Sequence, residues 1–232
     1  MIENLQSVIG IPLCNMDLFK TALTHRSAVN ESKHIDKHNE RLEFLGDAVL
    51  ELVVTEFLYK KYPEKPEGVL TSLRSSLVCG ENLAKSAKEL NLGQFLRISH
   101  GEEKFGGREK DSLLANTIES IIGAIFLDTG IENAKTFIHT YIIPYLDEII
   151  ETGSFIDAKS FFQQHAQAEF KITPHYKVIS AIGPDHEKTF EVAVFVGDTE
   201  HGRGTGPSKQ SAQQEASKNA LDTLKIVWKT LD

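Results

Sequence analysis

Residues 38–50 read HNERLEFLGDAVL, and this stretch places three carboxylates among apolar residues at helical spacing. Glu40, Glu43 and Asp47 are three and four positions apart, so a helix carries them on one face. The apolar positions continue at three- and four-residue steps, and prolines follow the last of them. The pattern predicts one long helix over residues 38–61.

A stripe of carboxylates is common on a solvated helix face, so spacing alone does not define a site. The flanking positions, however, are strongly apolar, which predicts a helix that is buried on most sides. Buried carboxylates need a compensating cation. Grouped hard oxygen ligands suit Mg²⁺ or Mn²⁺.

A second polar pair lies in the apolar segment LLANTIESIIGAIFLD, residues 113–128, which predicts a helix over residues 112–127. Asn116 and Glu119 share a face of this helix at a three-residue step. If the two predicted helices cross, Glu43 and Asp47 meet this pair in an all-oxygen site able to hold divalent cations.

The rest of residues 1–150 also has helical periodicity, and no part of it alternates long enough to predict a strand. Further helices are predicted over residues 3–9, 17–23, 68–90 with a break at Gly80, and 131–150. The first domain is therefore predicted to be all-α.

The pattern changes at the polar stretch of residues 151–154, and residues 151–156 are predicted to form a linker. Asp157 is placed to cap a helix that runs to Phe170. Alternating segments then predict three strands, at residues 175–180, 188–195 and 199–205, followed by a helix from 208 to about 228. The fold class is α+β: an all-α domain over residues 1–150 and an α-β-β-β-α domain over residues 157–226.

Composition and charge restrict the class of protein. The 232 residues are 41% hydrophobic, and the longest apolar run, residues 121–127, is far shorter than the roughly 20 residues of a membrane span. No signal-peptide pattern is present at the N-terminus, so a cytoplasmic protein without a membrane partner is expected. Cys14 and Cys79 lack the spacing of a disulfide framework or a zinc site.

The net charge of −8 does not by itself favour a polyanionic partner. The acidity is concentrated in the first domain, where residues 1–156 hold 16 basic and 23 acidic side chains. Carboxylates collected around metal ions explain such a distribution as well as a solvated surface does.

Four segments resemble one family. The nine residues NERLEFLGD, 39–47, look like the signature of bacterial ribonuclease III, and residues 114–128 resemble its second catalytic segment. Thr24-His-Arg-Ser27 is similar to the early motif of the family, and the last seventy residues resemble a double-stranded RNA-binding domain. The resemblance covers essentially the whole chain.

This resemblance implies an Mg²⁺-dependent endonuclease, with Mn²⁺ as a possible substitute and no small-molecule cofactor. It would cut double-stranded RNA in the processing of ribosomal and other transcripts, leaving 5′-phosphate and 3′-hydroxyl ends. Glu43, Asn116 and Glu119 would bind the metal, Asp47 and Glu119 would be catalytic, and Glu40 would lie at the outer rim. The family most often has aspartate where this chain has Asn116, which keeps an oxygen ligand and removes a charge.

The resemblance also assigns RNA contacts in the second domain. Amide and hydroxyl groups suit the 2′-hydroxyls and phosphates of a duplex minor groove, and Lys209 suits the backbone between two grooves. The predicted contacts are Ser160, Gln163, Gln164, Gln167, His186, Ser208 and Lys209. The loop that contains His186 is alternatively a plain hairpin turn. Ala212, Ala216 and Ala220 are expected to pack against the sheet.

Two alternatives to an active nuclease stay open. The chain is alternatively a double-stranded RNA-binding protein whose nuclease site is impaired by Asn116, or an unrelated helical metal hydrolase with a tail domain. For the enzyme, the resemblance implies a homodimer, with Phe44 and Leu45 on the self-complementary surface.

Overall fold

The computed structural model describes residues 4–31, 36–184, 188–226 and 228. The chain forms two compact units, Met1–Ile149 and Ile150–Asp232, and each is described by itself.

The described part of the first unit is helical. Its helices are α1 (Leu5–Ile9), α2 (Met16–Ala22), α3 (Arg26–Glu31), α4 (Glu40–Lys61), α5 (Glu67–Leu77), α6 (Gly80–Glu89), α7 (His100–Lys104), α8 (Asp111–Thr129), α9 (Ile131–Tyr141) and α10 (Tyr145–Thr152). Short 3₁₀ turns at Leu92–Phe95 and Gly107–Glu109 lie on either side of α7. The predicted all-α architecture is confirmed.

Helix α8 forms the centre of this unit. It packs against α4 and α6, and its residues from Leu114 to Ile125 are buried except for Asn116 and Glu119, which are half-buried. By length and mean hydropathy, 1.2, this helix could cross a membrane, but 56% of the window is buried within the molecule. Its apolar composition is therefore that of a core helix.

Two details of the helical domain differ from the sequence prediction. The single helix predicted over residues 131–150 is two helices, because Pro144 has no N–H to donate and interrupts the hydrogen-bond ladder between α9 and α10. The expectation that α4 is buried on most sides is also wrong. Phe44 is 81% exposed, and Leu52 and Tyr59 are exposed on the same side of the helix.

The second unit is a three-stranded antiparallel sheet with two helices. Its elements are α11 (Ala158–Phe170), β1 (His175–Ile182), β2 (Thr189–Val196), β3 (Thr199–Gly206) and α12 (Lys209–Thr223), and the sheet order is β1-β2-β3. The side chain of Asp157 accepts a hydrogen bond from the backbone N–H of Ser160, as predicted for the α11 cap. Phe162, Val194 and Ala216 lie in the shared core.

The last helix is shorter than predicted. It ends at Thr223 instead of near residue 228, because Lys225 adopts a left-handed conformation, with φ 55°, which a helix cannot continue. Trp228 then packs on the core of this unit, and its indole N–H donates to Asp222.

Glycines on β3 bring the strand unusually close to α12. A Cβ on Gly204 would overlap the backbone of Ala216, and one on Gly202 would overlap the backbone of Ala216 and Ala220. Ala212, Ala216 and Ala220 are fully buried on the facing side of the helix. The predicted role of the alanines is confirmed, since small residues on both elements allow this approach.

The predicted linker is partly helical. Helix α10 extends to Thr152, because no helix-breaking residue precedes Gly153, whose φ is +64°. At the other end of the segment, Ile156 packs against the core of the second unit.

Candidate active site and nucleic-acid interface

Helices α4 and α8 touch backbone to backbone at two glycines. A Cβ added to Gly46 would overlap the carbonyl oxygen of Glu119, and a Cβ added to Gly123 would overlap the carbonyl oxygen of Leu42. Glycine inside a helix costs roughly 0.5–1 kcal/mol relative to alanine, so a glycine on each helix marks a close approach. This crossing brings the acidic face of α4 next to Glu119.

The carboxylates at the crossing repel one another. Burial, followed by the charges of Asp47 and Glu43, raises the pKa of Glu119 to about 7. Burial also raises the pKa of Glu43, with further contributions from Glu40 and Asp47. Asp47 itself is exposed and Glu43 is half-buried. The cluster therefore holds more negative charge than its surroundings compensate.

Asn116 joins this cluster through Glu43. Its side-chain amide donates a hydrogen bond to the Glu43 carboxylate, which partly offsets the rise in the pKa of Glu43. An amide that donates through nitrogen keeps its oxygen as an acceptor. The helix crossing therefore brings Glu43 within reach of Asn116, and Glu119 within electrostatic reach of Glu43 and Asp47.

Glu40 lies at the edge of the cluster, beside the cation Arg26. It is exposed, and its carboxylate lies 3.6 Å from the guanidinium of Arg26 and 3.8 Å from Nδ1 of His38. Exposed ion pairs of this kind contribute little to stability. Their effect is to keep the rim less acidic than the centre.

The donor set fits a divalent cation in its chemistry. Three carboxylates and one amide supply only hard oxygen ligands, and the raised pKa of Glu119 indicates a place where a positive charge is favourable. Within the described ranges, no three Asp, Glu, His or Cys side chains are drawn together into a ready-made metal group. The residue types at the crossing therefore fit such an ion in their chemistry.

Backbone hydrogen bonds to distant segments position the start of α4. The N–H of Asn39 donates to the carbonyl of Thr24 at 2.9 Å, and the N–H of His25 donates to the carbonyl of Arg97 at 2.9 Å. Thr24 is fully buried, and Ser27 accepts from the N–H of Ser99. The Thr24-His-Arg-Ser27 motif therefore connects the helix carrying the carboxylates to the segment before α7.

Further hydrogen bonds hold α8 in place, and one of them is next to Glu119. The hydroxyl of the neighbouring residue, Ser120, donates to the carbonyl of Ala22 at 2.8 Å, which ties α8 to α2. At the far end of α8, Asp128 accepts a hydrogen bond from the backbone N–H of Cys14. These supports could not be predicted from the sequence, because their partners are distant in the chain. The mid-helix glycines were the one local signal of the crossing.

In the second unit, four predicted RNA contacts share one side of α11. Ser160, Gln163, Gln164 and Gln167 recur at three- and four-residue steps and are exposed, while Phe162 on the other side is buried. The hydroxyl of Ser160 also bonds to Asp157, and the amide of Gln167 donates to Thr173 at 3.1 Å. This face is therefore polar and accessible.

The predicted RNA contacts Ser208 and Lys209 lie at the start of α12. Ser208 caps this helix in a reciprocal arrangement with Ser211, and Lys209 is exposed in the first turn. Gln214 donates to Asp157 at 2.6 Å, so the starts of α11 and α12 are joined. The exposed N-terminus of α12, together with the positive charge of Lys209, favours the binding of a phosphate group. His186 lies outside the described residues.

Each of the two units matches a known protein family. Residues 15–146 match the family described as ribonuclease-III-like, and residues 158–224 match the double-stranded RNA binding motif. A helical nuclease domain followed by this motif defines an endoribonuclease that acts on double-stranded RNA.

Individual relatives extend the match over nearly the whole chain. It is 42% identical to ribonuclease 3 of Borreliella burgdorferi, covering 97% of this chain and 91% of that protein, and 44% identical to ribonuclease 3 of Streptococcus sanguinis, covering 95% and 97%. A solved nuclease domain of ribonuclease III from Campylobacter jejuni is 46% identical over 61% of this chain and 96% of that one, with a TM-score of 0.58. The chain belongs to the ribonuclease III family.

Proposed function

We propose that the chain cuts double-stranded RNA by metal-dependent hydrolysis of phosphodiester bonds, leaving 5′-phosphate and 3′-hydroxyl ends, in the processing of ribosomal and other transcripts. Mg²⁺ is the proposed ion, and Mn²⁺ is its substitute. The observation that carries this proposal is the gathering of Glu43, Asp47, Asn116 and Glu119 where α4 crosses α8. Such chemistry requires oxygen ligands around a cation in contact with the scissile phosphate.

Each residue of the cluster has a proposed role. Glu43, Asn116 and Glu119 hold the metal, and a bound divalent ion supplies charge neutralisation at the phosphate and a more acidic water. Asp47 and Glu119 are the catalytic carboxylates, with the exposed Asp47 able to orient the attacking water. Glu40 stays at the rim, where Arg26 lies 3.6 Å from its carboxylate.

Asn116 sets how strongly the site attracts metal. As an amide it contributes one less negative charge than an aspartate, and its N–H engages Glu43 in place of a cation. We therefore expect the chain to cut, with a raised Mg²⁺ requirement. Asn116→Asp should lower the Mg²⁺ concentration that gives half-maximal rate.

The second unit is proposed to bind the RNA duplex. Ser160, Gln163, Gln164 and Gln167 would contact one minor groove, His186 a second, and Ser208 with Lys209 the phosphates between them. Gln210 follows Lys209, so this turn provides one cation, and binding should be weaker than with a lysine pair. We place the domain boundaries at residues 1–150, 151–156 and 157–226.

We propose a homodimer whose two sites cut opposite strands, located in the cytoplasm, with no membrane partner and no small-molecule cofactor. The exposed aromatic ring of Phe44 on α4 supports a surface that a second copy covers. The solved Campylobacter jejuni domain is described as having a region involved in dimer formation. Sedimentation of the full chain at micromolar concentration tests this assembly.

Digestion of a long RNA duplex with and without Mg²⁺ tests the function. We expect cleavage only with the metal, and Glu119→Gln should remove most cleavage while duplex binding, measured in EDTA, is retained. If the unaltered chain does not cut at any Mg²⁺ or Mn²⁺ concentration and Asn116→Asp does, the binding-protein alternative is correct. If neither form cuts and neither binds metal, the metal assignment fails.

A further inference from the structure

A groove of about 370 Å³ lies between the C-terminal half of α4 and helix α9. Its principal lining residues are Glu56, Phe57, Lys60, Lys61, Lys135 and His139. Phe57 is ten residues beyond Asp47, which corresponds to roughly 15 Å along the helix axis at 1.5 Å per residue. The groove is therefore separate from the carboxylate cluster.

This groove is positively charged within an acidic domain. Glu56 is 2.5 Å from Lys60 and 2.9 Å from Lys135, and these two ammonium groups hold its pKa at about 2. Glu56 is thus ionised at neutral pH and neutralises one of the three lysines. Glu132 also lies 3.7 Å from Lys135, so one positive charge remains in excess, although residues 1–156 as a whole have more acidic than basic side chains.

Among the residues that the structure describes, no carboxylate forms an ion pair with Lys61. Among the described residues its contacts are with rings: its Nζ lies 5.4 Å from the centre of Phe57 and 5.6 Å from that of Tyr62. Phe57 in turn packs edge to face against His139, with ring centres 5.3 Å apart. The groove combines an available ammonium group with aromatic surface.

We propose that this groove binds one nucleotide, with its phosphate on Lys60 and Lys61 and its base against Phe57 and His139. Phosphate is an anion that lysines bind as point charges, and bases of any identity stack on aromatic side chains. The volume lies at the small end of the range for ligand sites. In the absence of a ligand, Glu56 forms ion pairs with Lys60 and Lys135. Its carboxylate therefore competes with the phosphate.

A free nucleoside monophosphate and a nucleotide of a single RNA strand present this same chemistry. Calorimetric titration of the full chain in EDTA, which prevents cleavage, distinguishes them with two probes, AMP and 5′-phosphorylated tetrauridylate. Binding of both indicates a mononucleotide site, and binding of the tetranucleotide alone indicates a site for an RNA strand. In either case Lys61→Gln should weaken the affinity about fivefold, the effect of roughly 1 kcal/mol from one charge pair near solvent.

Removing the negative charge of Glu56, instead of the positive charge of Lys61, is the sharper test. Glu56→Gln removes the competing carboxylate and should tighten binding about threefold or more, which a general loss of structure cannot do. Lys20→Gln makes the same charge change as Lys61→Gln elsewhere in the domain and should leave the affinity unchanged. The proposal is overturned if neither probe binds, if Lys61→Gln and Lys20→Gln have equal effects, or if Glu56→Gln weakens binding while the circular dichroism is unaltered.

Discussion

Replacing Glu119 by glutamine should make the metal-free protein more stable at alkaline pH. The pKa of Glu119 rises from the ordinary glutamate value of 4.5 to about 7 in the folded chain, where burial and the charges of Asp47 and Glu43 disfavour its ionisation. Between pH 4.5 and 7 the unfolded chain loses this proton and the folded chain keeps it. Stability therefore falls as pH rises through this window, and the loss is complete above pH 7.

The size of the effect follows from the same shift. A rise from 4.5 to about 7 corresponds to about 3 kcal/mol at 1.36 kcal/mol per pH unit. Glu119 is only half-buried, so solvent screening reduces this value, and we expect roughly 1–2 kcal/mol. Glu119→Gln cannot ionise, and it should gain this amount over the unaltered chain between pH 5 and pH 8.

Urea unfolding in EDTA at both pH values measures the difference. Far-ultraviolet circular dichroism follows the mainly helical first unit, and fluorescence of Trp228 follows the second. Glu132→Gln serves as the control, because its carboxylate is 82% exposed and outside the cluster. Equal pH dependence for Glu119→Gln and the unaltered chain would refute the reasoning, and added Mg²⁺ should stabilise the unaltered chain more than the variant.

Three further substitutions test the packing and the assembly. Gly46→Ala should force α4 and α8 apart by roughly 1 Å and reduce cleavage about 100-fold with duplex binding retained, whereas Gly68→Ala, whose Cβ meets nothing within 4 Å, should leave cleavage unchanged. Phe44→Ser should raise the dissociation constant of the proposed dimer at least 100-fold in sedimentation, since two rings would lose burial worth roughly 2 kcal/mol each. Gly204→Ala should destabilise the second unit by roughly 1–3 kcal/mol, seen in the fluorescence of Trp228, because α12 has no room for a methyl group.

The local pattern of the sequence was sufficient for the main elements of the fold. Periodic apolar residues predicted α4 and α8, and the spacing of the carboxylates predicted which of them share a face. Pro144 was a local signal for the break between α9 and α10, and the prediction of one helix overlooked it. The alternation in residues 175–206 predicted three strands within two residues of their observed ends.

The parts of the site that sequence could not predict depend on distant partners. Nothing local indicates that Thr24 receives a hydrogen bond from Asn39, or that Arg26 lies beside Glu40. The periodicity of α4 alone did not indicate the exposure of Phe44, because an apolar residue on an amphipathic helix is normally assigned to the core, and only the family resemblance placed this residue on a surface. Such features arise from tertiary packing, which acts on residues far apart in the chain.

The glycine crossing has a consequence for how this protein can change over generations. Where helices are separated by side chains, each enlargement or reduction of a core residue alters the distance between their backbones. At Gly46 and Gly123 the peptide groups themselves are in contact, so that distance is fixed by atoms common to all amino acids. Apolar residues elsewhere between α4 and α8 can therefore vary in size while the carboxylates on the two helices keep their separation, so the geometry of the candidate site depends on two positions rather than on a whole interface.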